Sequence, residues 1–154
     1  MRIAISADHR GAAATKMLVD KLKRDGHEVR TFGDCSSAPV DYPEPAYQVA
    51  KSVADGQSDM GLLICGTGVG MSIAANKVKG ARAAVVHDEF TAQISRSHNN
   101  ANVLCLSADL LGQKIIEKIV EVWLATPFEG GRHARRVNKI KAIEYGKDPG
   151  GVAE

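Results

Sequence analysis

The sequence predicts an α/β protein, a parallel β-sheet with helices on both faces, and three observations carry that prediction. Short apolar runs alternate with segments of helical period along nearly the whole chain, the pattern of repeated β-then-α units. The run from Met60 to Cys65 is apolar at consecutive positions, as a parallel strand buried on both faces must be. Glycines end the helical segments at Gly26, Gly56 and Gly130-Gly131.

Taken in order, Ile3 to Ser6 reads as a strand. Ala12 to Lys23 reads as a helix with Ala14, Met17, Leu18 and Leu22 on one face. Glu28 to Phe32 is a second strand, a Gly/Ser/Pro/Asp-rich loop runs from Gly33 to Pro45, and a helix covers roughly Ala46 to Ala54. The strand Met60 to Cys65 turns at Gly66-Thr67-Gly68-Val69-Gly70 into a helix through about Lys77. A strand at Ala83 to His87 precedes a helix from Asp88 to about His98. Another strand at Val103 to Ser107 precedes a helix carrying Leu111, Ile115, Ile119, Val122 and Trp123. Five strands in 154 residues suit a single-domain, three-layer, Rossmann-like sheet with the flavodoxin-like order 2-1-3-4-5 better than a six-stranded dinucleotide fold. The expected domain is residues 1–146. Its last helix, 132–145, is surplus to the sheet and available to dock on a partner subunit, and residues 147–154 form a flexible tail.

Composition removes several classes of function. A formal charge of +2 argues for neither nucleic acid nor a membrane surface, and few aromatics leave no stacking platform for single strands. No apolar stretch approaches a membrane span, and the N-terminus lacks the apolar core of a signal peptide. An odd number of cysteines without close pairing fits a reducing compartment, so the expected location is cytoplasmic.

In an open parallel sheet, ligands bind beyond the carboxyl ends of the strands. Those ends here are Ser6-Ala7-Asp8-His9, Cys65, His87-Asp88 and Ser107-Ala108-Asp109, with Asp41-Tyr42 in the loop after the second strand. The turn Cys65 to Gly70 offers several backbone N–H groups to a negative charge, whether phosphate, enolate oxygen or nucleotide. The glycine spacing approximates a dinucleotide fingerprint, with Asp88 near the place of a ribose-binding acid, but its last glycine comes one residue early and no Walker pattern follows. A non-catalytic nucleotide-binding module is therefore the runner-up reading, and the bland reading of the glycines is a tight strand-to-helix turn. Cys65 is either a small core filler, as Cys105 is taken to be, or a base. An ordinary cysteine is only a few per cent thiolate near neutral pH, so the second role needs help from position or from a carbon made acidic by a polarised carbonyl.

His98 ends the fourth helix, where histidines commonly only complement the dipole. That helix runs back across the sheet, and about ten residues at 1.5 Å each carry His98 roughly 15 Å from the strands' carboxyl ends. If His98 is catalytic, it serves a neighbouring chain. Arg132 and Arg136 lie four apart on one face of the last helix, with Lys139 three further on. That face is either a solvated basic stripe or a phosphate clamp aimed at a partner's pocket, while Val137, Ile140 and Ile143 form a different stripe for docking.

Together these residues resemble the type B ribose-5-phosphate isomerase family, which includes the galactose-6-phosphate isomerase subunits. The matching segments are Ser6 to His9, Asp41-Tyr42-Pro43, Leu63 to Lys77, Ser95 to Asn99, and Glu129 to His133 with Arg136. The resemblance implies aldose–ketose isomerisation of a sugar phosphate through a cis-enediolate, without metal or organic cofactor, by homodimers or paired dimers with shared sites. The leading substrate pair it implies is ribose 5-phosphate and ribulose 5-phosphate, of the pentose phosphate pathway, with allose 6-phosphate or galactose 6-phosphate types as alternatives. It makes Cys65 the base between C1 and C2, Thr67 a proton carrier at the sugar oxygens and His98 the partner's ring-opening residue. Gly66, Gly68, Val69 and Gly70 would hold the enediolate. Asp8, Asp41, Tyr42 and Asn99 would line or support the pocket, and His9, Arg132 and Arg136 would bind phosphate. One position departs from the pattern: Asp109 stands where many members carry an arginine. A carboxylate there would repel a dianion if it pointed the same way, or it would merely complement the following helix.

Overall fold

A computed structural model describes residues 1–152. Five strands and six helices of the predicted kinds are present among the described residues: β1 Arg2–Ala7, α1 Ala12–Arg24, β2 Glu28–Thr31, α2 Pro43–Ala54, β3 Met60–Cys65, α3 Val69–Ala75, β4 Ala83–Val85, α4 Glu89–Ser97, β5 Val103–Ser107, α5 Gln113–Ala125 and α6 Arg132–Glu144. Helix α2 starts earlier than its apolar pattern does, because Pro43 and Pro45 fall in its first turn, where a missing N–H costs nothing. Beyond α6, Asp148 caps one 3₁₀ turn at Pro149–Gly151 by accepting the Gly150 N–H at 2.8 Å. No helix among the described residues is long and apolar enough to cross a membrane.

The strands form one parallel sheet, but in the order β2-β1-β3-β5-β4, which corrects the expected 2-1-3-4-5. Burial explains the exchange. β5 is buried at every position, as an interior strand should be, whereas the three residues of β4 are only half-buried and suit an edge.

The helices obey the same geometry. Alternate strand residues (Ile3, Ile5, Leu62, Ile64, Leu104, Leu106) pack with Leu18, Leu22, Ala92, Ile116 and Trp123 of α1, α4 and α5. The intervening residues (Ala4, Leu63, Cys65, Val103, Cys105) pack with Ala46, Val49, Met71 and Ala75 of α2 and α3. Right-handed crossovers that step in opposite directions along a sheet must place their helices on opposite faces. The steps β1→β2 and β4→β5 run one way and carry α1 and α4; the steps β2→β3 and β3→β4 run the other way and carry α2 and α3. The chain reverses direction at β1 and β3, which sets the crevice where a ligand can enter.

Cys105 is fully buried, and burial pushes its thiol well above the ordinary range, as befits a neutral core residue. Trp123 is also fully buried and donates its indole N–H to Ser95 Oγ at 3.1 Å, tying α5 to α4. Beside it, Arg96 is buried with its Nη1 donating to Asn100 Oδ1 at 3.0 Å and to the Ala101 carbonyl. Those bonds hold the turn after α4, where Asn100 adopts a left-handed φ of 48°.

Candidate active site

Two clusters of chemically capable residues emerge, at opposite edges of the sheet. The first surrounds the β3 turn. Cys65 ends its strand 5 % exposed, and its Sγ accepts the Gly68 N–H at 3.1 Å. The Val69 N–H goes to Thr67 Oγ1 at 3.3 Å. The amides of Thr67, Gly70 and Met71 have no protein acceptor among the described residues and remain available to a ligand. The neighbouring strand fixes the turn from below: the Gly66 carbonyl accepts from Ser107 Oγ at 2.6 Å and from the Asp109 N–H at 3.1 Å.

Two glycines of this turn are needed for different reasons. Gly68 has φ 79°, and a Cβ there would stand 3.2 Å from the Leu106 carbonyl carbon. Gly70 has an ordinary φ but supports the Tyr42 ring, whose Cε2 would be 2.7 Å from an added Cβ. Gly68→Ala is therefore expected to cost about 1–2 kcal/mol of stability from the left-handed backbone alone. It also displaces the N–H aimed at Cys65. Urea unfolding and turnover, measured on the same preparation, should both fall.

From β1, Asp8 is buried and its Oδ1 accepts the N–H groups of Arg10 at 2.9 Å and Gly11 at 3.2 Å. It shapes the loop that presents His9, whose Nδ1 is buried without a hydrogen-bond partner. Tyr42 is half-exposed over Gly70, and Asp41 beside it is exposed.

Asp109 meets neither expectation made for it. It is not in the first turn of α5, whose N-cap is Gly112. It is also not a bare carboxylate, because Arg10 Nε donates to both of its oxygens at 2.8 Å. Arg10 escaped the sequence reading; the one available signal was a basic residue at the end of one strand and an acidic one at the end of another.

The second cluster lies where α4 returns to the amino edge of the sheet. His98 is the C-cap of α4, and its ring stacks on His133 of α6 with centroids 3.9 Å apart and planes 10° from parallel. The Glu129 N–H donates to the Ser97 carbonyl at 3.0 Å, and its carboxylate lies 3.6 Å from His133 Nε2 and 3.9 Å from His98 Nε2. Burial, then the nearby His98 and Arg132, hold the His133 ring below its ordinary pKa, with Glu129 opposing. The three side chains could in principle gather a metal ion. Parallel stacked imidazoles, however, send their lone pairs side by side, so an ion between them would sit out of both ring planes; Arg132 Nε also lies 3.4 Å from His133 Nε2.

Arg132 and Arg136 are exposed on α6 near these histidines, and Lys139 is half-buried one turn further along. Asn99 is exposed and lines a cavity of about 570 Å³ between α6 and the β4 edge, with Arg82, Ile140 and Ile143. Within one chain, then, Asp8, His9, Tyr42, Cys65 and the glycine turn come together, while His98, Asn99, Arg132 and Arg136 do not join them. β5 links the two edges, and five residues at about 3.3 Å each span roughly 16 Å.

Comparison with known proteins decides the family. The Ribose/Galactose Isomerase family model matches residues 3–140. The chain belongs to that family. Among relatives of the Ribose/Galactose Isomerase family, ribose-5-phosphate isomerase B of Escherichia coli (strain K12) is 48 % identical over 143 residues, covering 93 % of this chain and 96 % of that one. D-erythrulose-4-phosphate isomerase of Pectobacterium atrosepticum is 40 % identical over 146 residues, covering 94 % and 96 %. The solved structure of ribose-5-phosphate isomerase B from Mycoplasma genitalium with bound ribulose-5-phosphate superposes with a TM-score of 0.90 at 45 % identity, covering 94 % of this chain and 96 % of that one. The three-layer α/β fold of the Ribose/Galactose Isomerase family is thus the fold seen here.

Proposed function

We propose that this family member interconverts ribose 5-phosphate and ribulose 5-phosphate through a cis-enediolate, as a cytoplasmic, metal-independent homodimer with sites shared between subunits. The observation that carries the chemistry is the Cys65 sulfur, held at the mouth of a turn whose Thr67, Gly70 and Met71 amides remain open.

In this reading Cys65 removes the proton from C2 of the open-chain aldose, and the electron pair moves onto the carbonyl oxygen. The open amides stabilise the resulting oxyanion where charge develops. Thr67 carries the proton between O2 and O1, and Cys65 returns its proton to C1, so the atoms of aldose and ketose balance. Asp8 orients the β1 loop, Tyr42 and Asp41 border the pocket, and His9 faces the phosphate end.

The second cluster completes the site from a partner. His98 would open the furanose, Asn99 would support it, and Arg132 and Arg136 would clamp the phosphate. Half-exposed Ile140 and exposed Ile143 give α6 an apolar stripe for docking, which supports the dimer. The substrate's carbon number is the open variable, since a relative acting on a four-carbon sugar phosphate is 40 % identical.

The test is a panel of four-, five- and six-carbon aldose and ketose phosphates, with free sugars as controls, followed by NMR. Interconversion fastest for the five-carbon pair is expected. Interconversion of none would sink the isomerase reading, and calorimetric binding of adenine nucleotides would then favour the nucleotide module.

A further inference from the structure

Arg10 and Asp109 are 99 residues apart in sequence, yet Nε of one donates to both carboxylate oxygens of the other at 2.8 Å. Arg10 follows β1 and Asp109 follows β5, the two strands that flank β3. Their pair therefore arches across the start of the β3 turn. Contact with that turn is close: a Cβ on Gly66 would stand 2.9 Å from Asp109 Oδ2 and 3.2 Å from Arg10 Cδ. Only a glycine lets the pair lie this low.

The pairing leaves the other end of the guanidinium unused. No protein group among the described residues accepts from Arg10 Nη1 or Nη2, and the side chain is 55 % exposed. A guanidinium anchored through Nε keeps its two amino groups as an oriented fork, the geometry that suits a carboxylate or phosphate. The anchor also cancels the local charge. The pair therefore offers directed donors without leaving Asp109 as a free negative charge over an anion-binding turn. Adjacent in sequence is His9, with its buried Nδ1 unpartnered.

We propose that Arg10 is a substrate-binding, specificity-determining residue that contacts the phosphate of the open-chain sugar phosphate, from the same subunit that supplies Cys65. Asp109 acts through Arg10 as a positioning residue. The inference rests on the sugar-phosphate reading above. An arginine tethered at Nε has a fixed reach, so the span from Cys65 to the fork selects how many carbons separate the reacting centre from the phosphate.

The test compares Arg10→Ala, Asp109→Asn, Asp109→Glu and the double variant Arg10→Ala/Asp109→Ala with wild type. Arg10→Ala should raise KM for the preferred sugar phosphate about tenfold while changing kcat less than about threefold, as loss of a charge-assisted contact made throughout the reaction would. Asp109→Asn should shift KM in the same direction by less, and Asp109→Glu should restore part of it. The double variant should bind no worse than Arg10→Ala, since it also removes the carboxylate that Arg10→Ala leaves bare, but its KM should stay several-fold above wild type. A return to the wild-type KM would show that Arg10 only masks Asp109 and would overturn the proposal. Calorimetric titration with inorganic phosphate, which needs no turnover, should show about tenfold weaker binding to Arg10→Ala.

Unchanged KM and unchanged phosphate affinity in Arg10→Ala would overturn the proposal, as would a fall in kcat at constant KM, which marks a disturbed turn. An active wild type with an indifferent Arg10→Ala removes this inference alone. A wild type that turns over no sugar phosphate, but binds phosphate through Arg10, removes the isomerase reading and leaves the phosphate contact standing.

Discussion

Cys65→Ala is expected to lose activity by about 10²–10⁴-fold, the span over which a positioned acid–base group accelerates proton transfer. Stability should change far less. The side chain is nearly buried among Leu63, Met71 and Cys105, so truncation leaves only a sulfur-sized gap, a cost of about 1 kcal/mol. The Gly68 N–H also loses its acceptor, but the glycine turn opens to the ligand side, where water can replace the sulfur. The diagnostic pattern is a collapsed kcat with nearly unchanged phosphate binding and unfolding midpoint. A fully active Cys65→Ala would remove the thiol as base and return it to the role of a core filler like Cys105. Cys65→Ser should fare little better than alanine, because a hydroxyl is a far weaker acid than a thiol and seldom exists as the anion near neutral pH.

His98→Ala is expected to show a directional defect. Ribose 5-phosphate closes a furanose through its C4 hydroxyl, and that ring must open before C2 can lose its proton. Ribulose 5-phosphate cannot close the corresponding ring, because its C5 oxygen carries the phosphate. Removing a ring-opening residue should therefore slow the reaction from ribose 5-phosphate by about 10²-fold, and affect the reaction from ribulose 5-phosphate much less. Initial rates from each side measure the difference. Equal losses in both directions would point instead to a packing role in the His98–His133 stack.

Much of the fold was legible because its signals are local. The strand Met60–Cys65 is the predicted one to the residue, and β5 is the predicted Val103–Ser107. A short continuous apolar run bounded by turn residues suits a parallel strand buried on both faces, and its length separates it from a helix. The order of β4 and β5 was not legible in the same way. Both strands look apolar, and only their burial in the folded sheet separates a three-residue edge from an interior strand.

The candidate site divides similarly. The glycine turn was readable, because positive φ at Gly68 leaves a residue-type signature. The separation of His98 from Cys65 followed from helix length alone. The Arg10–Asp109 pair was invisible, since nothing local links two residues on non-adjacent strands. Asp109 therefore looked like an unanswered charge when it already had a partner. The His98–His133 stack was hidden for the same reason: α6 meets α4 only in three dimensions.

In the proposed mechanism the Cys65 turn is half of a site, and the His98 edge of another chain is the other half. Mixed dimers test it most directly. Cys65→Ala and His98→Ala chains, each nearly inactive from ribose 5-phosphate alone, are unfolded and refolded together and the exchange is verified by mass. Random pairing makes about half of the dimers mixed, and each of those restores one complete site, so activity should return to about a quarter of the wild-type value. Verified exchange with no recovery would contradict the claim, placing His98 in its own chain's site or outside the chemistry.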